Sequence, residues 1–275
     1  MNYTLSEIYI YPIKSLGGIK LQKAIVEEKG LKYDRRFMLV DSNKIFMTQR
    51  KFPEMALLKT KIDNDILTVV DSRNNNSVKI NLRKIEKDSR LYEDLEVEIW
   101  DDKIRAKKIS NELDKFFSDS LGISCSLVYM PESSIRIVDP QKKYVIEEYS
   151  VSFADAFPFL IIGEESLSNL NTRLKQKLPM NRFRPNFVFS GGKPFDEDRW
   201  KSFKIGNITF YAVKPCARCV ITTIDQNTAT KSDEPLRTLS SFRKFDNKIL
   251  FGQNLVHQGT GEIMANSELQ VIEWK

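Results

Sequence analysis

The chain has 275 residues, 41% apolar and 29% charged, which suits a soluble globular protein of one large domain or two modest ones. Its 43 basic and 37 acidic side chains leave a formal charge of +6, but the bases are scattered, which argues for a solvated surface and against a nucleic-acid interface. Three cysteines and one histidine argue against a disulfide framework, most histidine-built metal sites and a histidine-based triad, and point to the cytoplasm.

The N-terminus from Met1 to Ile8 lacks a basic start and apolar core, so no secretory signal is expected. No apolar run approaches the roughly 18 residues a membrane helix needs, so no membrane is expected as partner. Short β-patterned segments follow: Tyr3 to Pro12, Lys23 to Glu28, Arg36 to Asp41, Ile66 to Val70, Ser77 to Leu82 and Leu95 to Trp100. Gly17-Gly18, Asp41-Ser42-Asn43 and Asp71 to Asn76 break them. Many short strands at close spacing predict a barrel or sandwich. Ser110 then caps a helical pattern with Leu113, Phe116, Phe117 and Leu121 inward, and Gly122 ends it.

The polar stretch Pro131 to Tyr149 reads as a linker. Domains are therefore expected at residues 1–130 and 150–275, joined by 131–149. The second unit opens with Val151 to Phe153 and the apolar run Phe157 to Ile162. A helix with Leu167, Leu170 and Leu174 on one face follows. Strands are expected at Asn186 to Ser190, Ile208 to Val213, Val220 to Ile224, Leu255 to His257 and Leu269 to Trp274. A third helix starts near Pro235, with Leu236, Leu239 and Phe242 inward.

The sharpest chemical feature is Lys214-Pro215-Cys216-Ala217-Arg218-Cys219. Its C-x-x-C allows a redox dithiol, or a zinc site completed by Cys125 and His257. It also allows a single thiolate ligand for a soft metal whose other donors come with a cofactor, or two plain core cysteines. Lys214 and Arg218 favour thiolate over thiol. In Asn181-Arg182-Phe183-Arg184-Pro185-Asn186 the proline stiffens the strand entry. Arg184 can grip a phosphate, and Asn186 can both donate and accept at a heterocycle edge. Lys14 and Ser15, with Arg35 or Arg36, can build an anion site that lacks the spacing of a nucleotide-binding P-loop. Phe251-Gly252-Gln253-Asn254 reads as a turn rich in amides. Asp155, between Phe153 and Phe157, is either hydrogen-bonded for structure or raised in pKa for proton transfer. His257 reads as a strand residue.

Taken in order, these pieces resemble the MOSC family, named for the C-terminal domain of molybdenum-cofactor sulfurase. Tyr11-Pro12-Ile13-Lys14-Ser15 and Asp34-Arg35-Arg36-Phe37 are similar to its N-terminal β-barrel domain. Phe183-Arg184-Pro185-Asn186, Cys216-Ala217-Arg218-Cys219, Thr222-Thr223-Ile224-Asp225 and Phe251-Gly252-Gln253-Asn254 are similar to the MOSC domain itself. The spacing is like that of the amidoxime-reducing components and their bacterial relatives. The resemblance implies a mainly β protein in which an N-terminal β-rich, barrel-like domain packs on a MOSC β-barrel with a few peripheral helices.

It also implies a molybdenum–pterin cofactor between the two units. The metal would be held by the thiolate of Cys219, and phosphate and pterin by Lys14, Ser15, Arg36, Arg184 and Asn186. Arg35 rivals Arg36, and Asp155 would lie near the metal. The implied reaction is reduction of N-hydroxylated small molecules such as amidoximes, N-oxides or hydroxylamines. No cysteine cluster of a ferredoxin domain follows. A separate flavoprotein, ferredoxin or cytochrome-type donor is therefore expected, and no N-terminal anchor. Ala156 and Phe157 replace hydroxyl residues of some relatives, which argues against polar substrate contacts there. A monomer is expected. A carrier of the cofactor or its sulfur, and a zinc-stabilised binding domain, are the alternatives.

Overall fold

A computed structural model describes residues 2–138 and 148–275. The protein is mainly β, with 43% strand and 18% helix. Its centre is a closed barrel of seven strands. In order around the wall these are Phe159–Gly163, Phe187–Ser190, Tyr3–Ile10, Glu268–Trp274, Trp200–Ile205, Ile208–Ala217 and Lys248–Gln258, and the last pairs back to the first. Only the first two run parallel; the other wall pairs are antiparallel. Alternation sends Leu5, Ile8, Phe187, Phe203, Phe210 and Leu255 to the interior, where Trp200 and Phe159 join them. Phe203 stacks on Phe210 at 5.4 Å between centroids, and Phe159 on Phe187 at 5.3 Å.

The strand Tyr3–Ile10 belongs to this barrel although it opens the chain. It pairs with Phe187–Ser190 on one side and Glu268–Trp274 on the other. A small sheet of Gly261–Met264, Lys23–Glu27 and Gly30–Leu31 ties the two chain ends together again.

The rest of the first half forms a second β-rich unit. A four-stranded sheet orders Phe37–Asp41, Cys125–Tyr129, Asp102–Lys108 and Glu93–Ile99, beside a meander of Leu58–Asp63, Ile66–Asp71 and Ser77–Asn81. The helix Asn111–Leu121 closes its core with Leu113 and Phe117 buried. As the sequence predicts, the Ser110 hydroxyl accepts from the Leu113 amide, and Gly122 ends the helix at φ +67°. The helices Glu164–Asn171 and Leu236–Ser240 lie on the barrel. Among the described residues no helix is long and apolar enough to cross a membrane.

Two local expectations fail. Val220 to Ile224 is a tight 3₁₀ turn over Val220–Thr223, because the Thr222 and Thr223 hydroxyls donate back to the carbonyls of Cys219 and Val220 at 2.9 and 2.8 Å. Phe251 to Asn254 is no turn but the middle of the 11-residue strand Lys248–Gln258. There Gly252 adopts φ +83°, and a Cβ would meet the Ile161 carbonyl oxygen at 2.8 Å. Val151 to Phe153 is irregular, held by backbone bonds from the Val151 amide to Arg136 and from the Phe153 amide to Arg35. Of the expected linker, residues 131–138 and 148–149 are described and 139–147 lie outside the described residues.

Candidate functional site

A cleft lies where the β-rich unit meets the barrel. Lys14, Ser15, Arg35 and Thr48 line it from the first half, and Asp155, Arg184, Asn186, Arg218, Cys219 and Asn254 from the second. The mutual amide bonds of Gln49 and Gln226, at 3.2 and 3.0 Å, brace the two sides, and Gln49 also donates to the Ser15 carbonyl at 2.6 Å. The cleft measures about 140 Å³ and is open at its mouth. Drug-sized ligands fill about 300 Å³ or more, so a pterin-sized group would extend through that mouth.

Its charge is lopsided. Lys14, Arg35, Arg184 and Arg218 face one carboxylate, Asp155. Lys14 is buried, and its Nζ donates to the Phe153 carbonyl at 2.8 Å and to Asp155 Oδ1 at 2.6 Å. Burial pushes the Lys14 ammonium down to about 8 despite that ion pair. For Asp155, desolvation pushes upward. The charge and hydrogen bond of Lys14, with Arg50 and Arg35 beyond, outweigh it and hold the carboxyl well below the ordinary carboxylate range. The raised pKa that the apolar run suggested is thus reversed by a lysine 141 residues away.

Burial pushes the Arg184 guanidinium down to about 10. Arg184 donates to the Leu16 carbonyl at 2.7 Å, and its guanidinium carbon sits 4.2 Å from the centre of the Tyr11 ring. Arg35 lies 4.3 Å from the same ring centre and donates to Asp34 at 2.5 Å and to Asn186 Oδ1 at 3.1 Å. Two guanidinium groups on one buried phenol form a stiff cationic wall. Ser15, Arg35 and Arg184 all adopt positive φ, at 67°, 50° and 55°. Such strain in non-glycine residues gathers at functional sites.

Arg36 is not brought to the cleft. The chain turns at Arg35 in the left-handed region and then extends, which sends the next side chain away. Arg36 is buried against the Met130 carbonyl, donated to at 2.7 and 3.2 Å, and pairs with Glu132. Of the two candidate arginines only Arg35 can meet a ligand in the cleft. Asn186 does line it, but its amide is spent on protein: Oδ1 accepts from Arg35 and the Leu160 amide, and Nδ2 donates to the Tyr9 carbonyl at 3.2 Å. In the folded chain Asn186 braces Arg35.

The cysteines divide clearly. Cys216 is the last but one residue of the strand Ile208–Ala217, at the register shift between Pro215 and Ala217. Its Sγ accepts from Arg218 Nη1 at 3.0 Å. Cys219 follows the strand, exposed at the mouth of the cleft and just before the 3₁₀ turn. Cys125 lies in the other unit beside Ser118, its thiol pushed up to about 11 by burial. His257 packs on Phe159 inside the barrel. Among the described residues no three His, Cys, Asp or Glu side chains gather to hold a metal ion, so the zinc set does not assemble. Thr48 is a cleft residue that sequence reasoning missed; a lone threonine before Gln49-Arg50 carries no signal.

The site is therefore a cationic cleft on the rim of a β-barrel, lined by two cysteines of which Cys219 is exposed and Cys216 half-buried. The chain belongs to the MOSC family. The pattern of the MOSC N-terminal beta barrel domain matches residues 2–124, and that of the MOSC domain residues 148–270. The chain is 33% identical to a molybdenum cofactor sulfurase of Oryza sativa subsp. japonica over 97% of its own length and 34% of that protein. It is 34% identical to the molybdenum cofactor sulfurase of Arabidopsis thaliana over 94% of its length and 33% of that protein. It thus spans about a third of the length of these sulfurases. The mitochondrial amidoxime reducing component 2 of Rattus norvegicus is 29% identical over 88% of this chain and 73% of that one.

Proposed function

We propose that this protein holds a molybdenum–pterin cofactor through the thiolate of Cys219 and reduces N-hydroxylated small molecules with electrons from a separate donor protein of flavoprotein, ferredoxin or cytochrome type. The observation that carries the reading is one exposed thiol opening onto a cleft of four cations and one carboxylate. The donor set fits such a group. Of the two cysteines that line the cleft, Cys216 is engaged by Arg218 and Cys219 is exposed, and one free soft sulfur suits a metal whose other ligands come with its cofactor. Arg184 and Lys14 are both lowered by burial, so an anionic phosphate beside them relieves a cost the folded chain already bears. Arg218 Nε is buried without a hydrogen-bond partner and is available to the same ligand. The amidoxime-reducing likeness suggests the substrate class. The unpaired cysteines suit a cytoplasmic setting.

When bound, the cofactor would supply the two-electron couple that removal of the substrate oxygen needs. The balance is two electrons and two protons in, and the N–O bond exchanged for N–H plus water. Around it the chain positions and shields. Arg35, Arg184 and Arg218 anchor the phosphate end. Asp155, kept ionised by Lys14, is a hydrogen-bond acceptor for the substrate and not a proton donor at neutral pH. Lys14 Nζ, at about 8, is the cleft group that can release a proton near neutrality.

The test is turnover by protein made in a host that synthesises the cofactor. With a chemical reductant, benzamidoxime should yield benzamidine. The likeness to sulfurases favours a second reading, a carrier of the cofactor or its sulfur. Full loading with no turnover under any reductant would select it.

A further inference from the structure

The hairpin between Glu93–Ile99 and Asp102–Lys108 closes through a two-residue loop, with Ile99 paired to Asp102. The first loop residue is Trp100, at φ +57°. Glycine or asparagine ordinarily fills such a position, since a bulky residue there strains the backbone. Burial does not repay that strain, because Trp100 remains 46% exposed. Its ring packs on Phe46 at 5.1 Å between centroids and carries the Arg50 guanidinium at 4.4 Å from its centre, while Lys14 Nζ lies 5.6 Å from the centre of Phe46. The aromatic pair therefore adjoins the Lys14–Asp155 ion pair of the cleft.

Trp100 also walls a groove of about 770 Å³, with Ile135, Ile137 and Val151 along one part and Asp102, Lys103 and Arg136 along another. Asp155 and Ala156 line both this groove and the cleft. Ile135 is 74% exposed, so the wall presents apolar surface to water. Lys14 engages Asp155 Oδ1, and no described residue donates to Oδ2.

We propose that this groove is the substrate subsite and selects flat aromatic N-hydroxylated compounds. The part of the Trp100 ring left exposed by Phe46 and Arg50 packs on the substrate ring, and Asp155 Oδ2 accepts from the N–H or O–H beside the N–O bond. The inference rests on the reductase reading but concerns binding, which is measurable apart from turnover. An ionised carboxylate only accepts, so it selects a donor-bearing head group. The aromatic and branched walls favour a flat apolar body over a short aliphatic one.

The experiment measures binding of benzamidoxime and acetamidoxime by calorimetry to wild type, Trp100→Ala and Trp100→Phe, with KM and kcat for each on the cofactor-loaded protein. Trp100→Ala should weaken benzamidoxime binding and raise its KM about five- to tenfold, with kcat nearly unchanged. Acetamidoxime should be indifferent to the change, and Trp100→Phe should recover most of the loss. Wild-type benzamidoxime binding in Trp100→Ala, or equal loss for both ligands, overturns the proposal. Trp100-dependent binding without any turnover supports the groove and removes the reductase reading instead.

Discussion

Inside the barrel Phe187, Phe203, Phe210 and Trp200 fill space with no charge among them. Along its rim, Lys14, Arg35, Arg184 and Arg218 converge on a cleft, and three of the cleft residues adopt positive φ. Phe159 belongs to both regions, packed in the core and lining the cleft. The contrast teaches a division of labour. The barrel interior gathers apolar surface, which stabilises the fold. The cleft gathers like charges and strained backbone, which cost stability and, on the proposed function, are offset when an anion binds.

Substitutions on the two sides should separate accordingly. Phe210→Ala opens a cavity in the barrel and should cost about 3–5 kcal/mol in denaturant unfolding. Arg184→Ala removes a half-buried charge and one hydrogen bond, and should change stability by no more than about 1 kcal/mol. It should sharply weaken the binding of a phosphate-bearing pterin, read by retention after gel filtration. A large stability loss in Arg184→Ala, with cofactor retained, would erase the distinction.

Glu197 sharpens the comparison from the barrel side, since it is a carboxyl buried outside the cleft. Desolvation raises it to about 7, against the bonds it accepts from the Ser166 hydroxyl and the Gly163 amide. The unfolded chain releases this proton near the ordinary glutamate value, about 4.3. Stability should therefore fall as pH rises from there toward 7 and level off above it. Glu197→Gln should be more stable than wild type above pH 7, by an amount on the order of 2 kcal/mol, and should lose that advantage below about pH 4. Thermal unfolding across that range decides. An advantage that does not depend on pH would show that the gain is packing.

The smallest effect is expected at Cys216. Its thiol accepts one bond from Arg218 and packs on the fringe of an apolar cluster, so Cys216→Ala should cost about 1 kcal/mol and leave activity largely intact.

How far the sequence could be read follows the same division. Alternation and capping rules are local, and they located the Ser110-capped helix and most barrel strands. They failed at Val220–Thr223, where two threonine hydroxyls fold back on the chain, and at Phe251 to Asn254, where one glycine reads as a turn inside a long strand. The cleft is not local. Lys14 meets Asp155 across 141 residues and Arg35 meets Asn186 across 151, so no spacing rule could show that Asp155 is held ionised or that Asn186 is already engaged. The motif singled out both neighbouring arginines, but one left-handed residue decides which faces the cleft.

The central claim is that one sulfur of the chain, that of Cys219, binds the metal. Molybdenum X-ray absorption with elemental analysis, on wild type, Cys216→Ala and Cys219→Ala from a cofactor-producing host, tests it most directly. We expect about one molybdenum per chain in wild type and in Cys216→Ala, with identical sulfur shells. Cys219→Ala should lose one sulfur from that shell, even where Lys14, Arg35 and Arg184 still retain the pterin. Stoichiometric zinc without molybdenum, or a sulfur shell unchanged in Cys219→Ala, would contradict the assignment.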